Sequence, residues 1–203
     1  MHVLETIHGG LEKLSRFAVW IGGAALLLAA IMVTVDVLCR KFLGVTMSGS
    51  DEISGYVFAA ATTWAYAYCL IHRSNIRIDV LYNLVPKPAR AVLDVIGLAL
   101  LFVYMWLLTV AGWQVFITSW EKDSVAISTL ATPLWIPQFF WITGLMMFMV
   151  TLGFLIVYTL IALVTGQIDT VQKVAGTLSV QEEIEEETHG IEEMKRNANG
   201  GGA

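Results

Sequence analysis

Apolar residues fall in four long, continuous runs separated by short polar segments. The first extends from Phe17 to Leu38, interrupted only by Thr34 and Asp36. The second spans Ile53 to Ile71 and is rich in Ala, Thr and aromatics. The third reaches from Ala91 to Trp120 and the fourth from Leu134 to Val164. A membrane-spanning helix needs about 20 predominantly apolar residues, and each run meets that length. Because the runs are continuous rather than alternating, helices are expected and not barrel strands. The pattern predicts an all-α integral membrane protein with four transmembrane helices, at about 17–38, 53–71, 91–120 and 134–164. The last two exceed the hydrocarbon thickness and must tilt, kink or protrude. The first is read as a retained anchor, since its core is longer than the roughly 7–15 residues of a cleaved signal.

Two shorter stretches have helical rather than continuous patterning. Val3, Leu4, Ile7, Leu11 and Leu14 recur at helical spacing, opposed by Glu5, His8, Glu12 and Lys13. Ile78, Leu81, Tyr82 and Val85 repeat the pattern before Pro86 and Pro88, which are read as its stop. Both predict short amphipathic helices lying in the headgroup plane. The chain then divides into an interfacial segment at 1–16, a membrane domain at 17–165 and a tail at 166–203. Seven glutamates between Gln181 and Glu193 leave that tail with few apolar residues, and disorder or weak helix is expected there.

Composition agrees with the class and charge adds an orientation. Of 203 residues, 57% are hydrophobic and 14% charged, and the mean hydropathy is +0.70. A soluble domain carries about 25% charged residues. Residues 1–165 hold nine Lys/Arg and nine Asp/Glu, so the net charge of −5 resides in the tail. Nine basic residues flank one side (Lys13, Arg16, Arg73, Arg77, Lys87, Arg90, Lys173, Lys195, Arg196) and three the other (Arg40, Lys41, Lys122). Without the tail the ratio is still six to three. Positive-inside bias therefore puts both termini and the middle loop in the cytoplasm.

Catalytic chemistry finds no support. His2, His8, His72 and His189 lie outside the four spans, which argues against buried haem ligands. Cys39 and Cys69 sit at opposite ends of their helices, ~24 Å apart along the axis at 1.5 Å per residue, beyond disulfide reach. No phosphate loop, dinucleotide fingerprint or nucleophile elbow is present. No catalytic, cofactor or metal residue is assigned, and nothing points to nucleic acid.

The remaining polar residues read as structural or partner-facing. Asp36 and Asp94 lie near span ends and are expected to pair with Arg or Lys. Ser48 with Asp51 has the form of a capping box opening the second helix. Glu52 is left for Arg40 or for a partner's basic group. Gly55 with Ala59, and Ala61 with Ala65, stand four apart, a spacing that lets helices approach closely. Gly22, Gly23, Ala25, Ala29 and Ala30 add small residues to the first helix. Trp120, Trp135, Trp141, Phe139 and Phe140 read as an aromatic belt. Trp64 and Trp106 read as mid-span packing anchors.

Several of these residues carry a resemblance. Asp36-Val37-Leu38-Cys39-Arg40-Lys41-Phe42-Leu43, then Ser50-Asp51-Glu52-Ile53, Trp64, Asn75-Ile76-Arg77-Ile78-Asp79, Leu84-Val85-Pro86 and Arg90 resemble the small permease subunit of tripartite ATP-independent periplasmic (TRAP) transporters. The resemblance covers roughly residues 14–165. Asn75 stands where a histidine is common in the family, and Ser54-Gly55-Tyr56 lacks a basic residue often found there. The resemblance implies a multi-pass subunit of a bacterial or archaeal cytoplasmic (inner) membrane. It implies a non-catalytic scaffold for a large permease subunit, which binds sodium and an organic acid delivered by a periplasmic binding protein. Asp36, Arg40, Asp51, Glu52, Gly55, Ala59, Trp64, Asp79, Arg90 and Trp120 become the structural or interface candidates, with phospholipid around them. The outer surface for the binding protein would be the first loop, Arg40 to Ser50, and the third, Glu121 to Pro133. Two other readings remain open: an autonomous four-helix exporter acting as a homo-oligomer, and a sensor or assembly factor working through its tail.

Overall fold

The computed structural model describes residues 2–74, 86–166 and 188. Among these the chain is helical: α1 at His2–Leu43, α2 at Ser50–Ile71, α3 at Lys87–Glu121 and α4 at Trp135–Val164. A single bridge between Val125 and Pro133 closes the loop before α4. The predicted interfacial helix at 78–85, with Asp79, lies outside the described residues, as does the tail apart from Thr188.

Two helix boundaries differ from expectation. α1 is one helix of 42 residues, where an interfacial piece and a separate span are predicted. No proline interrupts it, and a glycine such as Gly9 or Gly10 costs only ~1 kcal/mol in a helix interior. Continuing a helix adds a hydrogen bond per residue while restarting one needs a new nucleus, so the amphipathic turns extend the apolar ones. α3 begins at Lys87 rather than 91. Pro86 is its N-cap and a second proline, Pro88, lies in the first turn, where the missing N–H has no intrahelical acceptor to lose. The prolines open a helix here.

Three helical segments are long and apolar enough to cross a membrane: Thr6–Leu43, Val92–Glu121 and Trp135–Val164. α2 does not join them, which departs from the four spans predicted from the apolar runs. Ser50, Asp51, Glu52, Ser54, Thr62 and Thr63 dilute its hydrophobicity. Its place in the fold explains how this is tolerated. α1 packs on α2, α2 on α4 and α4 on α3, so the helices stand in a row with α2 lodged between two apolar neighbours.

α4 supplies most of the core. Ile142, Leu145, Phe148, Leu152 and Leu155 are buried together with Leu98 and Met105 of α3 and Leu70 of α2. On α3 the buried positions Leu98, Met105, Gly112 and Ser119 recur every seven residues, the repeat of a helix seam that stays on one neighbour. Buried threonines satisfy themselves: Thr63, Thr151 and Thr159 donate to carbonyls one turn back. No water is available at such positions, so this local bond removes the cost of an unpaired hydroxyl.

The α2–α4 crossing depends on the absence of a side chain at Gly144. A Cβ there would collide with the Thr63 side chain and stand 2.6 Å from Trp64 Cδ1. Overpacking of this kind costs ~1–3 kcal/mol. Gly144→Val is therefore expected to lower the thermal midpoint of the purified chain in mild detergent. Gly97→Ala, whose Cβ would meet nothing within 4 Å, should leave it unchanged or raise it. Equal behaviour of the two variants would remove the close crossing from the account.

Candidate functional site

The end of α1 and the start of α2 are joined through one carboxylate. Asp36 is 2% exposed and receives four hydrogen bonds. Arg40 Nη2 donates to Oδ2 at 2.7 Å and Ser50 Oγ to the same oxygen at 3.0 Å. The Met47 amide and the Thr46 hydroxyl, at 3.2 Å, donate to Oδ1. The connection from α1 to α2 is thus folded back onto the helix that precedes it. Arg40 supplies the pairing charge from the next turn of α1, an i,i+4 arrangement natural to a helix. Its side chain stays 56% exposed while the carboxylate it serves is buried.

This arrangement replaces two expected contacts. Ser48 and Asp51 do not form a capping box. Gly49 is the N-cap of α2, with φ 98° and no side-chain cap bond, and the Ser50 hydroxyl turns to Asp36. The pairing of Arg40 with Glu52 is likewise absent, because Arg40 is bonded to Asp36.

Glu52 faces the third loop instead. Tyr56 donates its hydroxyl to Oε1 at 2.7 Å, and the Ser128 and Thr132 side chains lie near the carboxylate. Oε2 is buried without a hydrogen bond of ordinary geometry. Leu130 of the same loop occupies the space beside Gly49 that a Cβ would need. The loop holds its own shape through Ala126 N to Thr132 O at 2.9 Å and Leu134 N to Ser124 O at 2.9 Å. The first and third loops, far apart in sequence, therefore form one continuous surface over the start of α2.

The other candidates are scattered. Trp64 is an anchor as expected: its indole N–H donates to Phe140 O at 2.9 Å and lies 3.3 Å from Thr143 Oγ1, tying α2 to α4. Trp106 is not an anchor, being more than half exposed and stacked on Phe102 at 6.4 Å. Trp120 meets Trp135 edge-on at 4.9 Å, beside Phe116 and Phe139. Asp51 is exposed. Gly55 touches nothing within 4 Å of its missing Cβ, and Ala59 is half-buried, whereas Ala61 is buried against Gly22. Asp94 is buried inward from α3, and Arg90 is half-buried on the preceding turn. Both cysteines are free. An apolar groove of about 370 Å³ runs between α1, α2 and α4, lined by Gly22, Ala25, Ala60, Ala61, Trp64 and Phe140 among others. The convergence of Thr46, Met47 and Ser50 on Asp36 was not read from the sequence. Its signal there is weak, a carboxylate 14 residues before a serine across a Gly-containing turn.

Helices of this length and hydropathy, with buried hydroxyls satisfied locally, define a multi-pass membrane protein. The family model for tripartite ATP-independent periplasmic transporters, DctQ component, matches residues 29–166, most of the chain. The protein belongs to that family and is a transporter component rather than an enzyme. No curated protein and no solved structure matches it. The matched residues include Asp36, Arg40 and Glu52, and so the whole corner.

Truncating Asp36 should destabilise the chain far more than removing its cation. Asp36→Ala leaves its donors without an acceptor, a loss of ~3–5 kcal/mol by analogy with a broken buried pair. Asp36→Asn keeps an accepting oxygen and should cost ~1–3 kcal/mol. Arg40→Ala removes a largely exposed partner and should cost ~0–1 kcal/mol. Thermal unfolding in detergent reads the order. Equal losses for Asp36→Ala and Arg40→Ala would show that the ion pair, and not the loop hydrogen bonds, holds the corner.

Proposed function

We propose that this chain is the small, non-catalytic scaffold subunit of a sodium-coupled TRAP transporter for organic acids, working with a large permease and a periplasmic binding protein. The observation that carries the reading is the family match over the membrane domain. The site adds support, because a carboxylate spent on four internal hydrogen bonds serves architecture and not substrate. In this reading all four helices span the inner membrane with both termini in the cytoplasm. α2 is 22 residues long, ~33 Å at 1.5 Å per residue, enough for the hydrocarbon core. Its polar positions are sheltered by α1 and α4, and the basic residues set the orientation. The joined first and third loops then face the periplasm, where the binding protein docks.

The exporter alternative has no support in the family match. Proton-coupled export needs a free carboxylate near mid-bilayer, whereas among the described residues Asp36 is bonded at the loop end of α1 and Asp94 lies near the start of α3.

Reconstitution tests the proposal. Liposomes with the large permease and this chain, given binding protein and an organic acid, should show uptake driven by an inward sodium gradient. Leaving this chain out should reduce uptake at least tenfold and lower the recovery of intact permease. Full uptake by the permease and binding protein alone would end the scaffold reading.

A further inference from the structure

Polar contacts join α1 to α2 at both ends, and the two differ in kind. At the loop end Asp36 holds Ser50 through a hydrogen bond of 3.0 Å. At the opposite end, ~36 Å along α1 at 1.5 Å per residue, Glu12 stands beside His72. His72 Nε2 lies 3.9 Å from Glu12 Oε1, within ion-pair range and too far for a hydrogen bond. The nitrogen is buried without a hydrogen-bond partner, although the side chain as a whole is 35% exposed and open to protons. A buried ring nitrogen left unpaired is costly. The scaffold role makes no use of it.

The surroundings show what would satisfy it. From α1, Arg16 Nη2 donates to Glu12 Oε1 at 2.7 Å, and the buried Ser15 spends its hydroxyl on Glu12 O. His8, one turn earlier, lies against Phe154 of α4 at 6.4 Å, and Lys13 is exposed. On α2, the Tyr68 ring packs on His72 at 4.1 Å between centroids. Cys69 is half-buried, and Arg73 follows His72 with an interaction of its own. α4 carries no charged residue and no histidine, and Tyr158 is its one ionisable side chain. Neutral, His72 gains little from Glu12 at this distance. Protonated, it places a cation beside a carboxylate whose two oxygens have room for it and for Arg16. It also brings positive charge to the end of α2, where the last turn has no basic residue and the free carbonyls favour a cation.

We propose that Glu12 and His72 form a proton-operated clasp between α1 and α2, closed when His72 carries a proton and open when it is neutral. Histidine is the side chain whose charge changes between about pH 5 and 8, while a glutamate stays ionised over most of that range. The stability that the clasp adds is therefore present at the acidic end and lost as pH rises. What it holds is the amphipathic extension of α1 before Phe17, so the seating of that extension on α2 follows pH. In the orientation proposed above this end faces the cytoplasm, and cytoplasmic acidification tightens the helix pair. The clasp itself depends on neither the orientation nor the subunit reading, and the purified chain tests it alone.

Thermal unfolding in mild detergent, at about pH 8 and about pH 6, is the first measurement. On acidification the midpoint of the native chain should gain about 2 °C over that of His72→Gln, the weight of one partly exposed charge pair in a chain of this size. Glu12→Gln should abolish the same increment, and the double variant should lose no more than either single one. Arg16→Gln should enlarge it, because His72 then meets Glu12 without a competitor. His2, His8 and His189 are present in every variant, so their titration cancels. Spin labels at Gly10→Cys and Ser74→Cys, with Cys39 and Cys69 replaced by serine, give a second reading in lipid nanodiscs. Their distance distribution should narrow from about pH 8 to about pH 6, and should not do so once His72→Gln is added. Equal pH responses with and without His72 would overturn the clasp. A response lost in His72→Gln but kept in Glu12→Gln would overturn the pairing with Glu12.

Discussion

A polar group in an apolar layer must find its hydrogen bonds inside the protein, since neither lipid nor packed side chains provide any. Asp36 shows how much structure that constraint generates. Its two oxygens collect a guanidinium, two hydroxyls and a backbone amide from residues 40, 46, 47 and 50. Satisfying the carboxylate fixes the path of the loop and brings Ser50 to the start of α2. It also leaves Gly49 in a left-handed conformation with no side chain, which is the space Leu130 occupies. The third loop is thereby seated on the first, and Glu52 is closed in beneath it with Tyr56. The meeting of the first and third loops is built around that one ion.

The row of helices answers the same constraint on a larger scale. α2 is the least apolar of the four, and it occupies a position flanked by α1 on one side and α4 on the other. α4, the most buried, sits between α2 and α3. The two end helices keep one face each for their neighbour and turn the rest outward. A closed bundle would spend both faces on itself. An open row leaves broad apolar surface at α1 and α3, as suits a subunit that completes its packing within a larger membrane assembly.

Much of this was legible from residue order. Four long helices follow from run length. The misses have more than one cause. Ser48 and Asp51 have capping-box spacing, yet Ser50 is drawn to Asp36 and the cap falls on Gly49. Arg40 had two acids within reach and took the one on its own helix. Pro86 and Pro88 open α3, and the preceding helix they are expected to end lies outside the described residues. The break expected near Phe17 does not occur, because a change from amphipathic to fully apolar patterning alters what surrounds a helix and not the helix itself. Trp106 showed only its depth in the sequence, and depth does not say which way a side chain faces.

Hydrophobicity and helical periodicity act over a few turns, so the amino-acid sequence by itself determined the membrane class and the helices. Helix order, the meeting of the first and third loops and the partners of Asp36 and Glu52 belong to the tertiary structure. These depend on which surfaces come together across dozens of residues, where close fit at Gly22 and Gly144 and the satisfaction of buried polar atoms select one arrangement from many that the same pattern allows.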